Sequence, residues 1–330
     1  MKPFGLAVIG TSWITGSFIQ AARLSQEYEV RAVYSRTLEK GKPFADANQI
    51  PTIYTSIEEM LKDPTIEVVY IASPNDMHYP QTKQCMLAGK DVIGEKPLVS
   101  TRREMEDLIQ TMETTGKIVV EAITSRHMPN LEIIRKNLDR IGGLRIIRSD
   151  MSQYSSRYNA LLEGKVANVF DPAHSGGALY DIGIYPVSLV LDLLGKPEKI
   201  HYSANLHTNG VDLSGLFVME YPHTKAVCSL TKDSYGPNAT IFEGEKGYIL
   251  MDGAPSRIGS VTLVMGGTRE ELGVDQVEET MYYEAKYFGE LLRTRNKEEL
   301  LHLSQHSLNL AEIMEEGRKQ ANVIFEADKR

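Results

Sequence analysis

The sequence predicts an α/β fold in two parts: a doubly wound parallel sheet first, then an α+β domain with an open, largely antiparallel sheet. Three observations predict it. Over residues 1–121, short runs rich in Val and Ile alternate with amphipathic helical stretches, which implies right-handed crossovers and parallel strands. The first run ends in a glycine turn, Gly10-Thr11-Ser12-Trp13-Ile14-Thr15-Gly16, that leads into a helix. Beyond residue 122, strand-like runs with partial alternation dominate, as in a sheet with one wet face.

In the first part, strands are expected at 4–9, 30–34, 68–72, 92–93 and 118–120, and helices at 14–24, 38–47, 57–61, 80–88 and 102–114. Thr55 or Ser56 precedes one helix and Thr101 another, while Gly89 and Gly116 follow helices, the usual start and stop signals. In the second part, a helix at 130–138 ends near Gly142-Gly143, and strands follow at 144–151, 200–207, 213–221, 226–231, 239–242 and 261–265. An apolar helix at 184–194 interrupts them, and helices at 277–294 and 297–325 close the chain. The change of pattern divides the chain into an expected first domain over 1–121 and a second over 122–330.

Composition narrows the function. The 330 residues suit two domains at roughly 150 each. The charge balance of 36 Lys and Arg against 44 Asp and Glu gives −8, which opposes capture of nucleic-acid backbones. No apolar run approaches the roughly 18 residues of a membrane span, and MKPFGLAVIG reads as a strand rather than a signal peptide. A cytoplasmic protein with no membrane or nucleic-acid partner is expected. Cys85 and Cys228 lie far apart without CxxC spacing, so neither a disulfide framework nor a zinc knuckle is expected. His302 and His306 have the i, i+4 spacing of a metal pair, but no glutamate follows the first and no third ligand is evident; no metal is expected.

A dinucleotide fingerprint reads GxGxxG where the first strand meets its helix. Here Gly10 is kept, while Ser12 and Thr15 stand at the second and third positions. Ser12 can donate to a phosphate, and the backbone N–H groups at Trp13 and Ile14 can complete an anion site. The end of the second strand, Val33-Tyr34-Ser35-Arg36-Thr37, carries no acid to accept the ribose 2′-hydroxyl of NAD. Ser35 and Arg36 suit the 2′-phosphate of NADP instead, so NADP(H) is preferred and NAD(H) admissible.

Three further segments carry more information. They are Ser73-Pro74-Asn75 with His78, Ala88-Gly89-Lys90 and Glu95-Lys96-Pro97; Glu121-Ala122 with Arg126 and Pro129; and Gly176-Gly177-Ala178-Leu179-Tyr180-Asp181-Ile182-Gly183-Ile184-Tyr185. In this order they resemble the Gfo/Idh/MocA oxidoreductases, in the tyrosine form of the family's last motif. That form is similar to the dihydrodiol dehydrogenase and glucose-fructose oxidoreductase branch. The resemblance implies a nicotinamide-dependent dehydrogenase or reductase of a sugar, polyol or related alcohol or ketone. It places Ser73, Pro74, Asn75, His78, Glu95, Lys96 and Arg126 on the cofactor, makes Lys96, Asp181 and Tyr185 catalytic, and implies a homodimer or higher even oligomer through the second sheet.

Elementary chemistry agrees with those roles. Ligands in wound sheets sit beyond the carboxyl ends of strands, where 73–75 and 95–97 fall. Pro97 disfavours helical geometry at Lys96, letting the amine project. Asp181 and Tyr185, four apart, would share a helix face. A tyrosine ordinarily titrates near pH 10, and a neighbouring lysine cation stabilises its phenolate. Either Lys96 or Tyr185 can be the group that takes the proton, with Asp181 bonding substrate or positioning its neighbours. Tyr154, Arg157, Asn168 and His174 stand where side chains could reach a substrate. Two other classes stay open: a redox-neutral glycosidase using NAD transiently, and a sensor of dinucleotide or sugar.

Overall fold

A computed structural model describes residues 2–329. The chain forms two compact units, Met1–Ala122 with Val277–Leu308, and Ile123–Gln276 with Asn309–Arg330.

The first unit holds six strands: β1 (Phe4–Ile9), β2 (Tyr28–Tyr34), β3 (Thr52–Tyr54), β4 (Val68–Ile71), β5 (Asp91–Glu95) and β6 (Val119–Ala122). They lie in the order β3-β2-β1-β4-β5-β6, and every neighbouring pair is parallel. β4 and β5 are buried along their whole length, as helices on both faces require. The strand order reverses at β1 and β4, where such sheets open a crevice. Helices α1 (Trp13–Ser25), α2 (Leu38–Ala47), α3 (Ile57–Lys62), α4 (Asn75–Leu87) and α5 (Arg102–Thr115) connect them. Thr37, Ser56 and Thr101 cap α2, α3 and α5 by accepting a backbone N–H three residues on. Sequence reading did not anticipate β3, whose three residues are exposed or half-buried. It also started α4 at residue 80, yet Pro80 lies inside the helix, where its missing N–H forgoes one helical bond.

The second unit contains α6 (Pro129–Asn137), β7 (Leu144–Ser152), α7 (Tyr158–Leu162), α8 (Ile184–Leu194), β8 (Lys199–Leu206), β9 (Asp212–Glu220), β10 (Lys225–Thr231), β11 (Ala239–Gly244), β12 (Gly247–Asp252), β13 (Val261–Met265) and β14 (Thr268–Glu271). Its eight-stranded sheet runs β14-β13-β12-β11-β7-β10-β9-β8. All neighbours are antiparallel except β7 and β10, which are parallel. Ile147, Phe217, Cys228, Phe242 and Met251 fill the inner face; Val218, Val227, Ile241 and Leu250 lie half-buried on the other. β12 and β14 escaped the sequence reading. The first opens on Gly247, and the second, Thr-Arg-Glu-Glu, is exposed throughout and leaves no apolar pattern.

Pro172–Leu194 is long and apolar enough to cross a membrane, and 72% of its most apolar stretch is buried within the protein. Polar residues such as Asp181 and Ser188 interrupt the stretch. Burial on this scale is that of a core helix.

The expected second domain, 122–330, is interrupted. Helix α9 (Met281–Thr294) and the start of α10 (Lys297–Gln320) belong to the first unit. Met281, Ala285, Phe288, Leu291 and Leu292 complete the core that includes Phe18, Ala22 and Tyr28. Gly289 permits the approach: a Cβ there would lie 2.4 Å from Glu27 Cγ. Arg293 donates to Glu27 at 2.8 Å and lies over the Phe4 ring.

Candidate active site

At the glycine turn, Gly10 has φ +115°, and a Cβ on it would meet the Ala72 carbonyl oxygen at 2.5 Å. Only glycine allows β1 to turn there. Ser12 is the N-cap of α1, but its hydroxyl makes no capping bond to the helix and lies 3.4 Å from Thr15 Oγ1. Thr15, at the fingerprint's third glycine, is fully buried. Trp13 is 78% exposed, and Ile14 is half-buried. The N–H groups of a first helical turn lack intrahelical acceptors, so an exposed Ser12 ahead of Trp13 and Ile14 fits a pyrophosphate. At the end of β2, Ser35 is buried and donates its N–H to the Tyr54 carbonyl at 3.0 Å. Gly41 of α2 closes on it, since a Cβ there would lie 3.0 Å from Ser35 Cβ. Arg36 is exposed at the same corner, a cation suited to a 2′-phosphate.

The segment bearing Lys96 is braced from two sides. His78, buried in α4, places Nδ1 2.7 Å from the Pro97 carbonyl oxygen and Nε2 2.7 Å from that of Ser73. Glu121 on β6 accepts the Leu98 N–H at 2.9 Å and the Ser307 hydroxyl at 2.7 Å. Gly94 leaves room for Leu98, whose Cδ1 would lie 2.4 Å from a Cβ at that position. The Lys96–Pro97 peptide is cis, which sequence reading did not anticipate. Lys96 itself is half-buried. Glu95 is buried and accepts the Tyr70 hydroxyl at 2.6 Å; burial raises its carboxyl above the usual range, with the Lys96 charge opposing. Ser73 donates its hydroxyl to Gln81 Oε1 at 2.7 Å. Pro74 precedes α4 as its N-cap, and Asn75 is the helix's first residue.

In the second unit, the glycine pair has a steric cause. Gly177 has φ +129°, and a Cβ would lie 2.0 Å from Asp212 Oδ1; one on Gly176 would lie 2.5 Å from the Asn168 carbonyl. Asp212 is buried and accepts the Leu179 N–H and the Tyr202 hydroxyl, each at 2.7 Å. It thereby anchors the start of the helical stretch that carries Asp181 and Tyr185. Burial raises its carboxyl, and these two donors oppose the shift. Asp181 lies on a single π-helical turn, Leu179–Gly183, while Tyr185 is the second residue of α8. The two therefore do not share one regular α-helical face as expected; a π-turn, a device common at functional sites, separates them. Asp181 pairs with Lys232, which follows β10. Neither Lys232 nor Asp212 belongs to a recognisable motif.

Arg126 donates Nε and Nη2 to Asp192 Oδ1 at 3.0 and 2.9 Å, and the side chains are 7% and 4% exposed. Arg135 adds a bond to Asp192 Oδ2 at 2.5 Å. The Arg126 guanidinium is thus committed in part to α8. Tyr154 stacks on Tyr235 at 4.6 Å and meets Tyr158 edge-on at 5.6 Å. Arg157 and Asn168 are exposed, and His174 is half-buried. Among the described residues no group of three or more His, Cys, Asp or Glu is placed to hold a metal.

Comparison with known proteins agrees with this fold. Residues 4–123 match the profile "Oxidoreductase family, NAD-binding Rossmann fold", and residues 134–250 match the "GFO/IDH/MocA C-terminal domain". The chain is 33% identical over 324 residues to scyllo-inositol 2-dehydrogenase (NADP(+)) of Bacillus subtilis, covering 98% of both. It is 35% identical over 323 residues to mouse trans-1,2-dihydrobenzene-1,2-diol dehydrogenase, covering 93% of this chain and 92% of the other. In fold it matches a 3-ketoreductase from Actinomadura kijaniata solved in complex with NADP, with a TM-score of 0.83, 20% identity, and coverage of 96% and 97%. The chain is an enzyme of the GFO/IDH/MocA oxidoreductase family, with a dinucleotide-binding parallel sheet and the family's C-terminal domain.

Proposed function

We propose that this enzyme is an NADP(H)-dependent dehydrogenase of cyclic polyols or related sugars, with Lys96 and Tyr185 handling the proton. The observation that carries the reading is the doubly braced segment at the end of β5, which holds Lys96 at the carboxyl edge of the parallel sheet. A sensor has no need of such a mounting. Ser35 and Arg36 support NADP(H) over NAD(H), and the relatives that act on scyllo-inositol and on dihydrobenzenediol support an alcohol on a six-membered ring.

A bound nicotinamide supplies the hydride chemistry. The chain's own groups orient the alcohol and move its hydroxyl proton. Tyr185 takes that proton in oxidation and returns it in reduction. The Lys96 cation favours the phenolate form and fixes the substrate oxygen. Asp181 accepts a hydrogen bond from the substrate. Arg126 acts on the cofactor end through a guanidinium already oriented by Asp192.

The half-buried outer face of the second sheet, with Leu216 at 51% and Ile146 at 41% exposure, supports a homodimer paired there. Cys85 and Cys228 are free and buried, which suits a reducing cytoplasm. Light scattering showing a monomer at micromolar concentration removes the dimer.

The test of function mixes enzyme, NADP⁺ and a polyol panel that includes scyllo-inositol. Reduced-nicotinamide absorbance should rise, faster than with NAD⁺. Glycoside cleavage without net absorbance change establishes the redox-neutral reading instead.

A further inference from the structure

Asp181 is the half-buried end of an ion pair whose other end is buried. The Lys232 ammonium donates to Asp181 Oδ2, and the side chains are 3% exposed for the lysine and 30% for the aspartate. The lysine backbone is fixed on both sides: its N–H donates to the Leu213 carbonyl and its carbonyl accepts the Ser155 N–H, each at 2.9 Å. Its ammonium also lies 3.5 Å from Gln153 Oε1 and 6.0 Å from the centre of the Phe170 ring. A cation this deep is costly unless a carboxylate neutralises it. Asp212 also feels its charge, but that carboxyl is engaged by Leu179 and Tyr202. Direct pairing falls to Asp181, held ionised and therefore only an acceptor.

We propose that Lys232 is a positioning residue that holds Asp181 as a fixed, ionised acceptor for a second hydroxyl of the substrate, so that the enzyme selects vicinal diols and polyols over lone alcohols. The proposal rests on the dehydrogenase reading. It leaves proton transfer to Tyr185 and Lys96, because a carboxylate clamped to a buried ammonium has little tendency to take a proton. It also accounts for the π-turn, which sets Asp181 apart from the regular turns of α8 and toward the end of β10.

The test uses the full-length enzyme with NADP⁺, scyllo-inositol, trans-1,2-cyclohexanediol and cyclohexanol. Lys232→Met should lower kcat/KM on scyllo-inositol about 10- to 100-fold, the value of a charged hydrogen bond. It should also erase the preference for the diol over cyclohexanol. Lys232→Arg should restore most of the loss. In an Asp181→Asn background, Lys232→Met should add less than about threefold, because the two act as one unit. NADPH affinity, read from Trp13 fluorescence, should not change. Equal losses for Lys232→Met with and without Asp181 overturn the proposal, as does an arginine variant as poor as the methionine one. If circular dichroism shows the methionine variant unfolded, Lys232→Gln takes its place in the cycle. A wild type inactive on every polyol removes the dehydrogenase reading and this proposal with it. An active wild type matched by Lys232→Met removes this proposal alone.

Discussion

His78 Nδ1 lies 2.7 Å from the carbonyl oxygen of Pro97, and the same ring reaches the Ser73 carbonyl at 2.7 Å through Nε2. One imidazole therefore ties the loop after β4 to the loop after β5. Burial holds its pKa below the ordinary histidine value, with the two carbonyls opposing. The tie is positional. His78→Ala should weaken NADPH binding about tenfold, the value of roughly one net hydrogen bond, and lower kcat by misplacing Lys96. Trp13, the chain's single tryptophan and 78% exposed at the glycine turn, reports the titration by quenching. Unchanged affinity and kcat remove the brace.

The corner after β2 predicts cofactor choice. Arg36→Ala should raise the Kd for NADPH about 10- to 100-fold, the value of a charge-assisted bond, and leave NADH nearly unchanged. Ser35→Asp should move preference toward NADH, because an acid repels the 2′-phosphate and accepts the 2′-hydroxyl. Comparable losses for both cofactors after Arg36→Ala would place the arginine elsewhere.

Lys96→Met and Tyr185→Phe should each lower kcat by about 10²- to 10⁴-fold, the range for positioned acid–base groups. Both should still quench Trp13 on adding NADPH. A variant that keeps near-native kcat on the identified substrate removes that residue from proton handling.

Acid stability is predicted by His127. Its Nε2 is buried, and burial beside the Arg126 charge pushes its pKa from 6.5 down to about 3. The unfolded chain binds this proton more tightly than the folded one. The histidine's contribution is therefore intact above pH 6.5 and shrinks as pH falls toward 3. The slope is about 1.4 kcal/mol per pH unit. Denaturant melts at pH 7, 5.5 and 4.5 should show a shallower decline for His127→Gln than for wild type; parallel declines count against it.

Fold legibility followed burial. β4 is buried on both faces and reads as a continuous apolar run, β5 shows only its Val92-Ile93 centre, and Thr101 announced the start of α5. β3 and β14 are too short or too polar to leave a period. At the site, Gly10, Lys96 and Tyr185 stand in local motifs and were visible. The Lys232–Asp181 pair joins residues separated by 51 positions, and no local pattern encodes such a partnership. His78 was visible as a residue, but its partners are backbone carbonyls, which carry no side-chain signature. The placement of α9 was illegible for a related reason: periodicity reveals which face is apolar, not which unit will cover it.

That return segment sets an order of events during synthesis. When the ribosome has released residues 1–122, the dinucleotide-binding sheet is present, but Phe18, Ala22 and Tyr28 still lack Ala285, Phe288 and Leu292. Each missing large side chain withholds about 1.5–3 kcal/mol. The nascent half must wait through some 150 further codons, counted from the gap between Ala122 and Val277, before its core can close. A gene fragment cut at 122 should yield an aggregation-prone product, whereas one that splices Val277–Leu308 onto it should yield a cofactor-binding module.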